Sequence, residues 1–353
     1  MNKTLLLSLP IAALIASCSS DDNEEKNSGN EIKFVTNVPS MSVKGSEITT
    51  SNLASFKVSA YNGTAIWAGI DEEAPIQSSG TWAFNPAKYM PSSGSLVFWA
   101  YSPTDLTVAD KTASGFTLEY APSTTASEQK DIVAAYASSS TSPVSLTFSH
   151  LLSKIKFNVQ SAAINGYSIS IKGVRLGWIN RGKGKLTYAS GNANWSDASG
   201  NTKASYEIGG SSATAIEVTS APTDFSSFTD NAFYVLPQQL TAWEASSSTT
   251  QNAYISFLCQ VKQYGVQQFP TTGDYDWGAA IGINTKWEPG YEYTYNITFF
   301  PGGTGGCGYP DPSVYPTTSD QPIVPAGSAS SEIKFNVSVS AWTQKTETPS
   351  YTN

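Results

Sequence analysis

A chain of 353 residues, 40% hydrophobic and 12% aromatic, can bury a sizeable core, and its length predicts two domains of ordinary size. With 14% charged residues and a net charge of -8 it carries no clustered Lys and Arg footprint, which excludes nucleic acid as a partner. Of three cysteines, Cys18, Cys259 and Cys307, the last two could form a single disulfide in an oxidising compartment, but two cysteines cannot be the covalent framework of a fold this large.

The chain opens with Lys3, an apolar run from Leu5 to Ile15, and Ile15-Ala16-Ser17-Cys18. A membrane helix needs about twenty apolar residues, and this run is roughly half that, so it predicts a secretion signal and not a span. Small residues ahead of the cysteine predict a lipoprotein signal peptide over 1–17, with Cys18 as the lipidation site and the outer-membrane lipid as its partner. The alternative is a cut at Ala16 with an incidental cysteine. Acyl chains on Cys18 make an anchored surface protein. Residues 18–30, beginning Cys18-Ser19-Ser20-Asp21-Asp22 and lacking apolar side chains after the cysteine, read as an acidic tether.

Beyond the tether the dominant signal is alternation of period two, with no amphipathic helix of useful length. Strands are expected at Leu53–Tyr61, Leu96–Tyr101, Phe116–Tyr120, Ile132–Tyr136, Val144–Phe148, Ile155–Val159, Tyr167–Ile171, Ala232–Leu236, Tyr254–Val261 and Tyr291–Phe299, separated by Gly, Pro, Asn and Ser clusters. The last is the clearest. Tyr291, Tyr293, Tyr295, Ile297 and Phe299 point one way, and Pro289-Gly290 supplies the turn before them. An all-β fold of β-sandwich domains follows, divided near residue 155 into an N-terminal domain over 31–155 and a C-terminal domain over 156–300. The stretch from Pro301 to Ser331, rich in Gly, Pro and Ser, opens a region over 301–353 that reads as a loose arm ending in an extended strand.

That strand nearly repeats the first one. Glu332-Ile333-Lys334-Phe335 matches Glu31-Ile32-Lys33-Phe34, and in each Ile and Phe share a face with Lys on the other. Two segments so alike could fill one groove by turns, as strand addition between subunits requires. In this reading Ile32 and Phe34 belong to a displaced first strand, and Ile333, Phe335, Val337 and Val339 to a donor strand. Burying the four donors at about 1.5 to 3 kcal/mol each would contribute roughly 6 to 12 kcal/mol before entropy costs, and truncation before Glu332 should leave a folded monomer. The plainer reading is that strands are commonly spelled this way, since Lys154-Ile155-Lys156-Phe157 has the same pattern inside the chain.

Chemistry finds little support. Gly177-Trp178-Ile179-Asn180-Arg181-Gly182-Lys183-Gly184 almost spells a phosphate-binding loop, but Gly184 stands where the magnesium-binding hydroxyl belongs and no helix pattern follows. His150 is the only histidine, so a catalytic triad or a multi-histidine metal site lacks its parts; a structural histidine at a strand end is expected. Asp71-Glu72-Glu73 has no evident partner for glycosidase or calcium chemistry. Accordingly no catalytic residue, metal or cofactor is expected, and the chain does not read as an enzyme. Nine tryptophans keep a carbohydrate-binding surface lipoprotein as the alternative, because aromatic faces stack on sugars.

Asp131-Ile132-Val133-Ala134-Ala135-Tyr136, the run from Val144 through His150-Leu151-Leu152-Ser153-Lys154 to Phe157, and Trp287-Glu288-Pro289-Gly290-Tyr291 through Phe299 resemble the recurring motifs of fimbrillin-like proteins. Thr49-Thr50-Ser51-Asn52-Leu53 through Tyr61 and Phe98-Trp99-Ala100-Tyr101-Ser102-Pro103 resemble that family's first domain, and the acidic start after Cys18 resembles a surface-export tag of Gram-negative gut and oral anaerobes. The resemblance implies a type V pilus subunit with two transthyretin-like β-sandwich domains and a C-terminal extended strand. It implies export as an outer-membrane lipoprotein, other pilus subunits as partners by strand exchange, and adhesion to host or bacterial surface glycans or proteins. Family maturation by an arginine-specific protease after the first strand meets a departure. The chain has only Arg175 and Arg181, and the corresponding stretch offers Lys44 as the candidate processing site. Either another protease cuts near Lys44, or the strand stays and the subunit sits at the base as an anchor; stalk, tip and anchor all remain open.

Overall fold

The alternation becomes an all-β molecule in the computed structural model, which describes residues 30–39, 47–162, 166–197, 202–224, 232–245, 252–301, 306–314, 322–323, 333–341 and 350–351. In chain order the first ten strands are β1 (Lys33–Asn37), β2 (Lys57–Asn62), β3 (Ala65–Ile66), β4 (Ile76–Ser78), β5 (Thr81–Ala83), β6 (Leu96–Ser102), β7 (Val108–Thr112), β8 (Gly115–Tyr120), β9 (Val133–Ser139) and β10 (Val144–His150). There follow β11 (Ser153–Ser161), β12 (Tyr167–Asn180), β13 (Gly184–Ala189), β14 (Asn192–Asp197), β15 (Lys203–Gly209), β16 (Ile216–Glu217), β17 (Thr223–Asp224) and β18 (Ala232–Val235). The last are β19 (Gln238–Gln239), β20 (Tyr254–Gln263), β21 (Val266–Phe269), β22 (Asp276–Gly282), β23 (Lys286–Trp287), β24 (Tyr291–Phe299), β25 (Lys334–Ala341) and β26 (Ser350–Tyr351).

An eight-stranded sheet runs β3-β2-β6-β9-β10-β1-β5-β4, with β1 parallel to β10 and antiparallel to β5. Its inner face carries Phe34, Phe56, Val58, Phe98, Leu146 and Phe148. Part of its other face is covered as well. The hairpin β13–β14, which follows residue 155, joins β8 and β7 in a four-stranded sheet, pairing Leu186 with Leu118 and Tyr188 with Phe116. These four side chains close a core with Tyr61, Trp99 and Tyr101. Burial on both faces explains why Leu96–Tyr101 is an almost unbroken apolar run.

Two further sheets face each other as a sandwich. One runs β17-β11-β24-β25-β26, with β18 also on β11; the other runs β15-β12-β20-β21, with β16 on β12 and β22 on β20. Ile155, Phe157, Tyr295 and Ile297 from the first meet Val174, Ile255 and Phe257 from the second. Here β11 lies parallel to β24 as β1 lies parallel to β10, so the shared Ile-Lys-Phe spelling marks equivalent strands. On the other side of β24 stands β25, antiparallel, where β9 stands beside β10.

All ten expected strands overlap strands, although Leu53–Tyr61 becomes strand only from Lys57, and Tyr291–Phe299 is matched end to end. The expected Tyr167–Ile171 runs on to Asn180, because register shifts after Ile171 and Leu176 let the ladder continue past Gly173 and Gly177. At Gly177 the Tyr254 ring lies so close that a Cβ would stand 2.1 Å from it. The first half of the phosphate-loop lookalike is therefore strand backbone packed under a tyrosine.

Candidate functional site

The slot of β1 is deep. Ile32 and Phe34 are fully buried, and the Phe34 ring sits edge-on to Phe56, Phe84 and Phe98 at centroid distances of 6.1, 5.7 and 5.5 Å. Backbone pairing is short by comparison: four registered positions with β10, from Phe34↔Val144 to Asn37↔Thr147, and two with β5. Lys33 points outward and meets Glu31 at 2.8 Å.

Where β1 ends, a polar cluster takes over. Pro39 O accepts from His150 Nε2 at 3.0 Å, and His150 Nδ1 lies 2.7 Å from Asp131 Oδ2, which also accepts the Ile48 N–H at 3.0 Å. Beside it Lys154, with its ammonium wholly buried, contacts Glu47 at 2.6 Å and Glu292 at 3.3 Å, and Glu292 reaches Lys156 at 3.1 Å. Both margins of the stretch 40–46 are thus held by one cluster. His150 is the structural histidine expected at a strand end, but its partners were not foreseen. Lys44 and Cys18, the candidate processing and lipidation sites, lie outside the described residues.

The terminal strand lies on its own chain. From Tyr291↔Ala341 to Thr298↔Lys334, β25 pairs with β24, and Ile333, Val337 and Val339 are buried in the C-terminal core. Phe335 is only half-buried, its ring 6.0 Å from Tyr295. A strand held in reserve without supporting its own domain is therefore not what the structure contains, since three of the four donor side chains already fill a core.

Nor is the region from Pro301 loose where it is described. Residues 306–314 are packed, with Cys307 and Asp311 fully buried. Asp311 receives Arg175 Nη1 at 2.8 Å, Tyr254 O–H at 3.1 Å, Ser313 N–H at 2.8 Å and the Ser256 hydroxyl. Arg175 also reaches Glu207 at 2.8 Å and stacks 4.0 Å above Trp277. Burial, with the Asp311 carboxylate beside it, pushes the Tyr254 hydroxyl up to about 12, so it remains a donor. A buried carboxylate with this many donors is a clip. Gly, Pro and Ser content alone gave no sign of it.

A family model described as fimbrillin-like matches residues 32–308. The chain belongs to the fimbrillin-like family. Its fold recurs in the crystal structure of a fimbrial protein from Bacteroides vulgatus, 16% identical over 89% of this chain and 100% of that one, with a TM-score of 0.60. A candidate cell adhesion protein from Bacteroides uniformis aligns over 89% of this chain and 99% of its own at 13% identity, with a TM-score of 0.47. No curated protein matches the chain.

As a fimbrillin-like protein the chain is a cell-surface, pilus-type adhesion subunit, associated with other pilus subunits, and not an enzyme. The remaining candidate residues fit a structural role. Asp71 and Glu72 each meet Lys111 at 2.8 Å, and Glu72 accepts the Tyr101 hydroxyl at 2.7 Å. Trp82, Trp99, Trp243 and Trp287 are core, while Trp67, Trp178, Trp195 and Trp277 are half-buried, so no exposed indole platform for a sugar exists among the described residues. Cys259 and Cys307 are buried free thiols, and burial pushes both upward, away from thiolate reactivity.

Proposed function

We propose that this fimbrillin-like chain is a structural subunit of a type V-like surface pilus, anchored through lipid on Cys18 during export and polymerised by strand exchange. In this proposal β1 leaves its slot after cleavage near Lys44, and β25 of a neighbour replaces it. The supporting observation is a match of positions. Ile32, Phe34, Thr36 and Val38 share the inward face of β1, and Ile333, Phe335, Val337 and Val339 occupy the corresponding places when the two Glu-Ile-Lys-Phe segments are aligned. Removal of β1 would leave a trench walled by Phe56, Phe84 and Phe98 that only another apolar strand could fill.

Because β25 already covers its own core, donation is an exchange and not the engagement of an idle strand. The driving force is a difference between two slots. In the trench Phe335 would go from half-buried to fully buried, and Val337 would replace Thr36 with apolar surface. Against this stands the loss of cover over Tyr293, Tyr295 and Ile297 on β24, which assembly must restore by other contacts.

Surface extracts treated with mild detergent, with and without boiling, test the proposal. A ladder at multiples of the subunit mass that collapses on boiling is expected. A monomer band alone, from cells shown to display the protein, overturns it.

A further inference from the structure

His150 closes β10, is 3% exposed, and is the single histidine of the chain. Each of its ring nitrogens faces an acceptor. Pro39 O, 3.0 Å from Nε2, is a peptide carbonyl with no proton to give, and Asp131 Oδ2, 2.7 Å from Nδ1, is already taking the Ile48 N–H. A neutral imidazole has one N–H, so one of the two contacts would set lone pair against lone pair. Only the imidazolium donates to both. We propose that His150 is held as the imidazolium and that this charge fastens the C-terminal end of β1 to the domain, so that release of β1 is coupled to loss of one proton.

The groups around the ring support the charge. Asp131 faces it from the segment before β9 and Glu47 from the segment before β2; Glu47 is shared with Lys154 of β11, and Lys154 and Lys156 together meet Glu292 of β24. Tyr120 of β8 lies near enough to sense Asp131, but burial and that carboxylate push its hydroxyl up to about 12, so it stays neutral. Burial by itself would lower the imidazole below its ordinary 6.5; Asp131 opposes this, Pro39 O and Glu47 add to it, and the net direction is upward.

The two margins of the stretch 40–46 respond differently. An imidazole that keeps only its Nδ1 proton still binds Asp131, and the Ile48 N–H and the Glu47–Lys154 pair are untouched. What is lost is the bond to Pro39. The β1 side therefore lets go while the downstream side stays docked. Because the folded value is raised, the fastening is complete below the unfolded value near 6.5 and disappears as pH rises through the folded value. This is a property of the monomer, and it stands whether or not β1 is exchanged between subunits.

The untagged full-length chain makes the test clean, because one imidazole C2–H resonance reports one residue. That resonance is followed by NMR between about pH 5 and 9, alongside amide hydrogen exchange at Phe34–Asn37, with Tyr293–Ile297 of β24 as the internal reference. The midpoint is expected above 6.5, and protection of β1 relative to β24 should fall with pH, by up to about tenfold for each unit of that excess. In His150→Gln the ratio should not vary with pH; if that variant fails to fold, the wild-type titration and exchange profile decide by themselves. A midpoint at or below 6.5, or β1 and β24 protection that stay parallel across the range, overturns the proposal.

Discussion

The strands β1 and β25 share a four-residue spelling and meet opposite fates. In β1, Phe34 is sealed among three phenylalanine rings inside an eight-stranded sheet, parallel to one neighbour and antiparallel to the other. In β25, Phe335 is half-buried beside one tyrosine, and the strand is antiparallel to β24 with, among the described residues, the two-residue β26 beyond it. The same side chain therefore has different worth in the two places. Depth of the slot and the number of rings lining it set that worth, and the local sequence only makes the side chain available.

The largest expected effect separates a strand that supports its own sheet from one merely parked there. Deleting residues 332–353 removes the buried Ile333, Val337 and Val339, worth roughly 4.5 to 9 kcal/mol before regained chain entropy, so thermal melts should show a clear drop in Tm. An unchanged melt would mean that β25 contributes nothing where it lies.

Next in size is the contrast between the two phenylalanines. Phe34→Ala should cost about 3 to 5 kcal/mol in denaturant unfolding, because its cavity is walled by rings that cannot collapse inward. For Phe335→Ala less than about 2 kcal/mol is expected, since half of the side chain already faces water. Equal costs would break the comparison at its base.

The smallest effect concerns the lysines between. Lys33 and Lys334 both point outward, and the pairing of Lys33 with Glu31 is solvent-exposed, so Lys33→Ala and Lys334→Ala should each stay within about 0.5 kcal/mol of wild type. A larger loss for either, read from the same denaturant curves, would show that the outward face of that strand is covered.

What the sequence determined by itself was local. Alternation over Tyr291–Phe299 or Val144–Phe148 is a property of neighbouring residues, and it placed every expected strand. The hairpin β13–β14 was legible too, in the alternation of Gly184, Leu186 and Tyr188 ahead of Ser190-Gly191, yet it is not among the expected strands.

Only the tertiary structure decided which slot each strand fills and which polar groups meet. His150 finds Pro39 from 111 positions away, Lys154 finds Glu47 across 107, and Arg175 finds Asp311 across 136. No periodicity links such residues. Likewise nothing in a run of Gly, Pro and Ser distinguishes Asp311 from any solvated aspartate until Arg175, Tyr254 and Ser256 converge on it. The reason is physical: strand pattern follows from the alternating direction of side chains along one backbone, whereas a buried hydrogen bond exists only once two distant backbones are brought together and water is removed from between them.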